Sequence, residues 1–137
     1  RAVGSAANLT LSEIEDIVAA DPRFAPLPAG WKSDSHFCLP LQGAESLMRA
    51  GARVADYLHA TMAAQTPPQQ PSLTLFFGHG AAFRHAAHHL GLLDIQEIPK
   101  ISMYHARPLL LCYKGDGEWQ HYGGSWKPRG TTDPLTD

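Results

Sequence analysis

Cysteine is scarce, with two in 137 residues, Cys38 and Cys112, far apart along the chain. In a mid-sized chain without secretory features both thiols are expected to be free. Charge is thin as well: charged residues make up 18% and the net charge is -2. Such a chain has no broad basic field, so nucleic acid and anionic membrane are not expected as partners. Any anion it binds must be gripped by a few placed groups. No apolar run approaches the ~18–20 residues of a spanning helix. The longest, Pro108-Leu109-Leu110-Leu111-Cys112-Tyr113, has strand length. Internal repeats, a GxGxxG fingerprint, a Walker loop, a CxxC pair and a GxSxG elbow are all lacking. No leader-like segment is read, and a cytoplasmic location is expected.

What is present suits one packed domain over residues 1–137, since 44% of the chain is hydrophobic. Residues 1–9 read as a loop. Thr10-Leu11-Ser12-Glu13 fits a capping box and predicts a helix over 11–20 burying Leu11, Ile14, Ile17 and Val18, stopped by Asp21-Pro22. Residues 21–43 form an irregular, proline-rich excursion anchored by Phe24, Trp31 and Phe37. It is expected either to cover an active site or to pack on the rest of the domain. Leu47, Gly51, Val54, Leu58 and Met62 mark one face of a helix over 44–64, with Glu45, Arg49 and Arg53 on another.

Further on, Ser72 to Phe77 reads as a buried strand running into Gly78-His79-Gly80. A helix is predicted from Ala81 to Leu90, ended by Gly91. A hairpin follows, with strands over 109–113 and 118–122 around Lys114-Gly115-Asp116-Gly117. This order suits an α/β sheet with helices on its faces. Two or three strands make a small sheet, and the first residue is Arg1 rather than methionine. The sheet's N-terminal strands are therefore expected to lie upstream of Arg1.

The strand–Gly-His-Gly–helix junction is the most informative feature. Ligands of such sheets bind beyond the carboxyl ends of strands, and a helix N-terminus there offers free N–H groups and a positive dipole end to phosphate. Glycines at 78 and 80 permit close backbone approach. His79 is placed to donate to a phosphate oxygen or to hold charge in a phosphoryl-transfer transition state. As spacing alone, Gly-His-Gly also fits a plain turn histidine.

The string Leu73-Thr74-Leu75-Phe76-Phe77-Gly78-His79-Gly80-Ala81-Ala82-Phe83-Arg84 resembles the second catalytic segment of the histidine phosphatase (phosphoglycerate-mutase-like) superfamily. Gly43-Ala44-Glu45-Ser46-Leu47 and Arg53-Val54 resemble its Gly-Glu-Ser-Leu helix and the later arginine. Ile98-Pro99 and Arg107 to Tyr113 resemble the next strand. Arg1-Ala2-Val3-Gly4 is similar to the end of its Glu-Arg-x-x-Gly element.

The resemblance implies a three-layer α/β/α fold and hydrolysis of phosphomonoesters through a phosphohistidine, without metal or cofactor. His79 would be a catalytic phosphate ligand. Gly80 would lend its backbone N–H, and Arg1 would contact substrate. Small phosphorylated substrates or inorganic phosphate are the implied partners, and homo-oligomerisation is left open.

The sequence departs from the family pattern at the nucleophile. Its one Arg-His pair, Arg84-His85, is followed by Ala86 in mid-helix, and the acid would fall just before Arg1. Both are expected upstream; otherwise the chain is an inert phosphate-binding module. Ala81 stands where mutases carry a polar residue, which favours a phosphatase. Three further groups of residues carry alternative readings. His85, His88 and His89 share a helix, with no acidic residue between them to suggest zinc; a solvated or substrate-channel face is expected. His105 and Arg107 face either a pocket or solvent. Lys32, Asp34 and His36 are either a substrate lid or a solvated loop.

Overall fold

A computed structural model describes residues 1–65 and 72–130. The chain is mixed α/β, with three helices and two small antiparallel ribbons among these residues. It divides into two compact units, Arg1–Ala50 and the described part of Gly51–Asp137.

In the first unit, α1 spans Leu11–Ala20. Thr10 Oγ1 accepts from the Glu13 amide at 3.3 Å, and Glu13 Oε2 accepts from the Thr10 amide at 2.7 Å. The reciprocal bonds are the capping box expected from sequence. Ile14 and Val18 are buried, but Leu11 and Ile17 are about half exposed, so the apolar face is narrower than predicted. Asp21 ends the helix in extended backbone before Pro22.

The excursion over 21–43 has no regular element and packs within its own unit. Trp31 and Leu39 join Ala6 and Ile14 in a core, with Phe37, Leu27 and Val3 against it. Residues 1–9 are more ordered than a loop. Val3 bridges Ala44, the Ser5 amide donates to Gln42 O at 2.9 Å, and Gly4–Ala6 forms a 3-10 turn. A Cβ on Gly4 would lie 2.2 Å from Gln42 O, so only glycine fits there. Glu45 is not on a helix. Its carboxylate accepts from the Ala2 amide at 2.8 Å, and its own amide donates to Ala2 O at 3.1 Å. Two of the segments that carry the family resemblance are thus neighbours.

Helix α2 spans Leu47–Ala63 and begins where Ser46 Oγ accepts from the Arg49 amide at 3.1 Å. In the second unit its residues Ala55 and Leu58 pack with Ala86 of α3, which spans Gly80–His89. Gly51 permits this approach, because a Cβ there would stand 2.3 Å from that of His85. After α3, Gly91 (φ +75°) donates to His88 O and Leu92 to Ala87 O, closing a Schellman motif.

Strand β1 (Ile101–Ser102) pairs with β4 (Lys127–Pro128), and β2 (Leu110–Tyr113) with β3 (Trp119–Gly123), both antiparallel. The second pair is the predicted hairpin, turned at Lys114–Gly117 with the Lys114 amide donating to Glu118 O at 2.9 Å. The predicted buried strand over 72–77 is corrected. Its backbone is not paired to any described strand, and Leu73, Leu75 and Phe77 are 76%, 66% and 91% exposed. The burial still alternates, with Phe76 packed on the core and Thr74 Oγ1 accepting from Gln65 Nε2 at 2.8 Å. Cys38 and Cys112 are free and exposed. Among the described residues no helix is long and apolar enough to cross a membrane.

Candidate functional site

His79 is the N-cap of α3, in extended backbone (φ -100°, ψ 133°), and its side chain makes no capping hydrogen bond. The imidazole is exposed. The first amide of α3 to find a partner is that of Phe83, which donates to His79 O at 3.1 Å. The amides of Gly80, Ala81 and Ala82 make no hydrogen bond among the described residues. Three free N–H groups beside an uncommitted imidazole can hold one anion, because the helix dipole adds positive potential at that point.

The two glycines fit the junction sterically. A Cβ on Gly78 would come within 2.9 Å of the Phe83 ring, and one on Gly80 within 3.3 Å of Met103 Cβ. Residues 78–80 therefore lie close against Phe83 and Met103. Two clefts, one of about 460 Å³ lined by Glu15, Pro26 and Trp31 and one of about 300 Å³ lined by Asp56, His59 and His89, do not include His79.

The remaining candidates are placed as follows. Arg1 belongs to the first unit. Its guanidinium lies 5.2 Å from the centre of the Trp31 ring, and Nη1 donates to Phe37 O at 3.3 Å. Burial lowers its pKa, an effect that Cys38 and Asp34 oppose. It is engaged rather than frayed. His79 and Gly80 belong to the second unit.

The histidine trio does not share a solvated face: His85 is 1% exposed, His88 half-buried and His89 exposed. The His85 ring sits in the core because Nδ1 bonds Ala81 O at 2.7 Å, one turn back. His88 Nδ1 likewise bonds Leu93 O at 3.0 Å. His105 and Arg107 are exposed, Arg107 lying 4.6 Å over the Tyr104 ring. Asp34 Oδ1 accepts from the His36 and Phe37 amides at 2.8 and 3.1 Å, so this residue shapes its own loop. Lys32 pairs with Glu15 at 3.5 Å.

Sequence reasoning noted Arg84 but missed its burial. It is 5% exposed, and Nη1 donates to Ile98 O and Ile101 O. The available signal was its place among Ala82, Phe83, Ala86 and Ala87 as the only Arg, Lys, Asp or Glu of this helix. Comparison with protein-family models, with curated proteins and with solved structures found no match.

Proposed function

We propose that the chain is part of a histidine phosphatase-type hydrolase of small phosphomonoesters, with the phosphoryl group held at the N-terminus of α3. The observation that carries this is the uncapped helix start at Gly80, with three free amides and the exposed His79 imidazole side by side. In this reading His79 donates to a phosphoryl oxygen and stabilises charge as the P–O bond breaks, while the Gly80 amide takes a second oxygen. The nucleophilic histidine and the acid that protonates the leaving oxygen come from residues outside these. In this reading the extended segment over 72–77, unpaired among the described residues, would find its partners only in a larger three-layer α/β/α sheet. Exposed free thiols at Cys38 and Cys112 suit a reducing, cytoplasmic setting. Ala81, which follows His79-Gly80, disfavours a mutase, and neither metal nor cofactor is invoked.

The test has two parts. Titration of the chain with inorganic phosphate, followed by amide chemical shifts, is expected to move Gly80, Ala81 and Ala82. His79→Ala should weaken that binding by about tenfold, the scale of a charge-assisted hydrogen bond. In the intact protein the same change should lower phosphatase kcat by about 10²–10³-fold. Wild-type activity in the variant would remove His79 from the mechanism. Phosphate binding by an intact protein without hydrolysis would make it an inert binding module.

A further inference from the structure

We propose that Arg84 and Arg129 form a second oxyanion site, at the β1–β4 ribbon, whose ligand is a tetrahedral dianion of the phosphate type. The proposal does not draw on the reading of His79.

Arg84 lies in a run of α3, residues 84–87, that is buried throughout. Its Nη1 donates to Ile98 O at 3.2 Å and to Ile101 O, while its buried Nε has no partner. Arg129 follows β4 directly. Its amide donates to Lys100 O at 2.9 Å, and its Nε donates to the same Ile101 oxygen at 3.3 Å. Two guanidinium groups therefore converge on one carbonyl.

Among the described residues neither has a carboxylate partner. Residues 98–115 and 119–130 contain no Asp or Glu, and the carboxylate of Glu97, which precedes Ile98, accepts instead from the Asp94 amide at 2.9 Å. Burial, and then the charge of Arg129, lowers the Arg84 pKa to about 10, which leaves it protonated at neutral pH. A buried cation beside a second cation is costly when, as among the described residues, only carbonyl dipoles oppose it. The component that would balance this arrangement is an anion.

The donors for it are in place. Arg129 is exposed, and its terminal nitrogens make no hydrogen bond among the described residues. The second terminal nitrogen of Arg84 is likewise without a partner there. Guanidinium forks match the spacing of phosphate oxygens, and two positive charges are balanced better by a dianion than by one carboxylate.

The experiment is a titration of the full chain with inorganic phosphate, read from the amide shifts of Ile101, Ser102 and Arg129. These are expected to move in the wild type and equally in His79→Ala. Arg129→Gln should weaken the response about tenfold or more, with the thermal midpoint of the unliganded protein not lowered, since the change removes a cation that opposes Arg84. The site is overturned if those amides stay still at millimolar phosphate. It is also overturned if Arg129→Gln binds as the wild type does, or if His79→Ala abolishes their response, which would assign it to the α3 N-terminus. Acetate moving them as strongly as phosphate would overturn the preference for a dianion.

Discussion

His85 shows how one position is decided by its surroundings. Its ring is enclosed between α2 and α3, where Gly51 leaves room for it, and Nδ1 is tied to Ala81 O. Burial pushes its pKa below the ordinary histidine value, the bond to Ala81 O opposes this, and the charges of Arg84, His89 and His88 lower it further. The sign follows from linkage. The folded state binds the proton less readily than the unfolded chain, so neutral His85 stabilises the fold above about pH 6.5, the ordinary value. That contribution is lost as pH falls below it. The thermal midpoint is therefore expected to drop between pH 7.5 and 5, and His85→Gln, which cannot charge, should flatten the drop. An unchanged slope in the variant would show that other groups control it. Asp21 is the opposite kind of site. Hydrogen bonds from Arg23 hold its carboxyl down at about 2, in an exposed turn where little energy follows.

At the level of elements, the parts fixed by short-range chemistry match the sequence reading. The helix over 11–20 starts and stops as its capping box and Asp21-Pro22 dictate. The Gly91 stop and the hairpin at Lys114–Gly117 are equally local. Thr10→Ala removes the oxygen that accepts from Glu13, and should cost about 1 kcal/mol in chemical denaturation. A loss below about 0.3 kcal/mol would mean that water replaces the cap. Glu45 is the contrary case. Its spacing to Arg49 and Arg53 suits a helical charge row, but the helix begins at Leu47 and Glu45 instead ties down the Ala2 amide. The competing partner lies 43 residues away, and helical periodicity carries no information about it.

For the molecule as a whole, the unpaired segment over 72–77 is the main departure from expectation. It has strand composition and alternating burial, yet three large apolar side chains point into solvent and its backbone finds no ladder among the described residues. Exposed apolar strand edges promote association. Concentration-dependent self-association of the chain is expected in sedimentation velocity, and Leu75→Lys should reduce it without changing the thermal midpoint. Equal association in that variant would place the contact elsewhere.

The sequence by itself determined the three helical segments, the capping box of α1, the Gly91 stop, the hairpin and the glycine-flanked histidine at a helix start, because each depends on neighbours within a few residues. The three-dimensional arrangement alone decided which of the helical histidines enters the core, where Glu45 and Arg1 are held, and that Arg84 is buried beside Arg129. It also decided that the strand before His79 is left without a partner. Those outcomes depend on backbone groups distant along the chain, such as Ala2, Phe37 and Ile101, whose approach is set by packing and by close contacts at Gly4 and Gly51 rather than by local pattern.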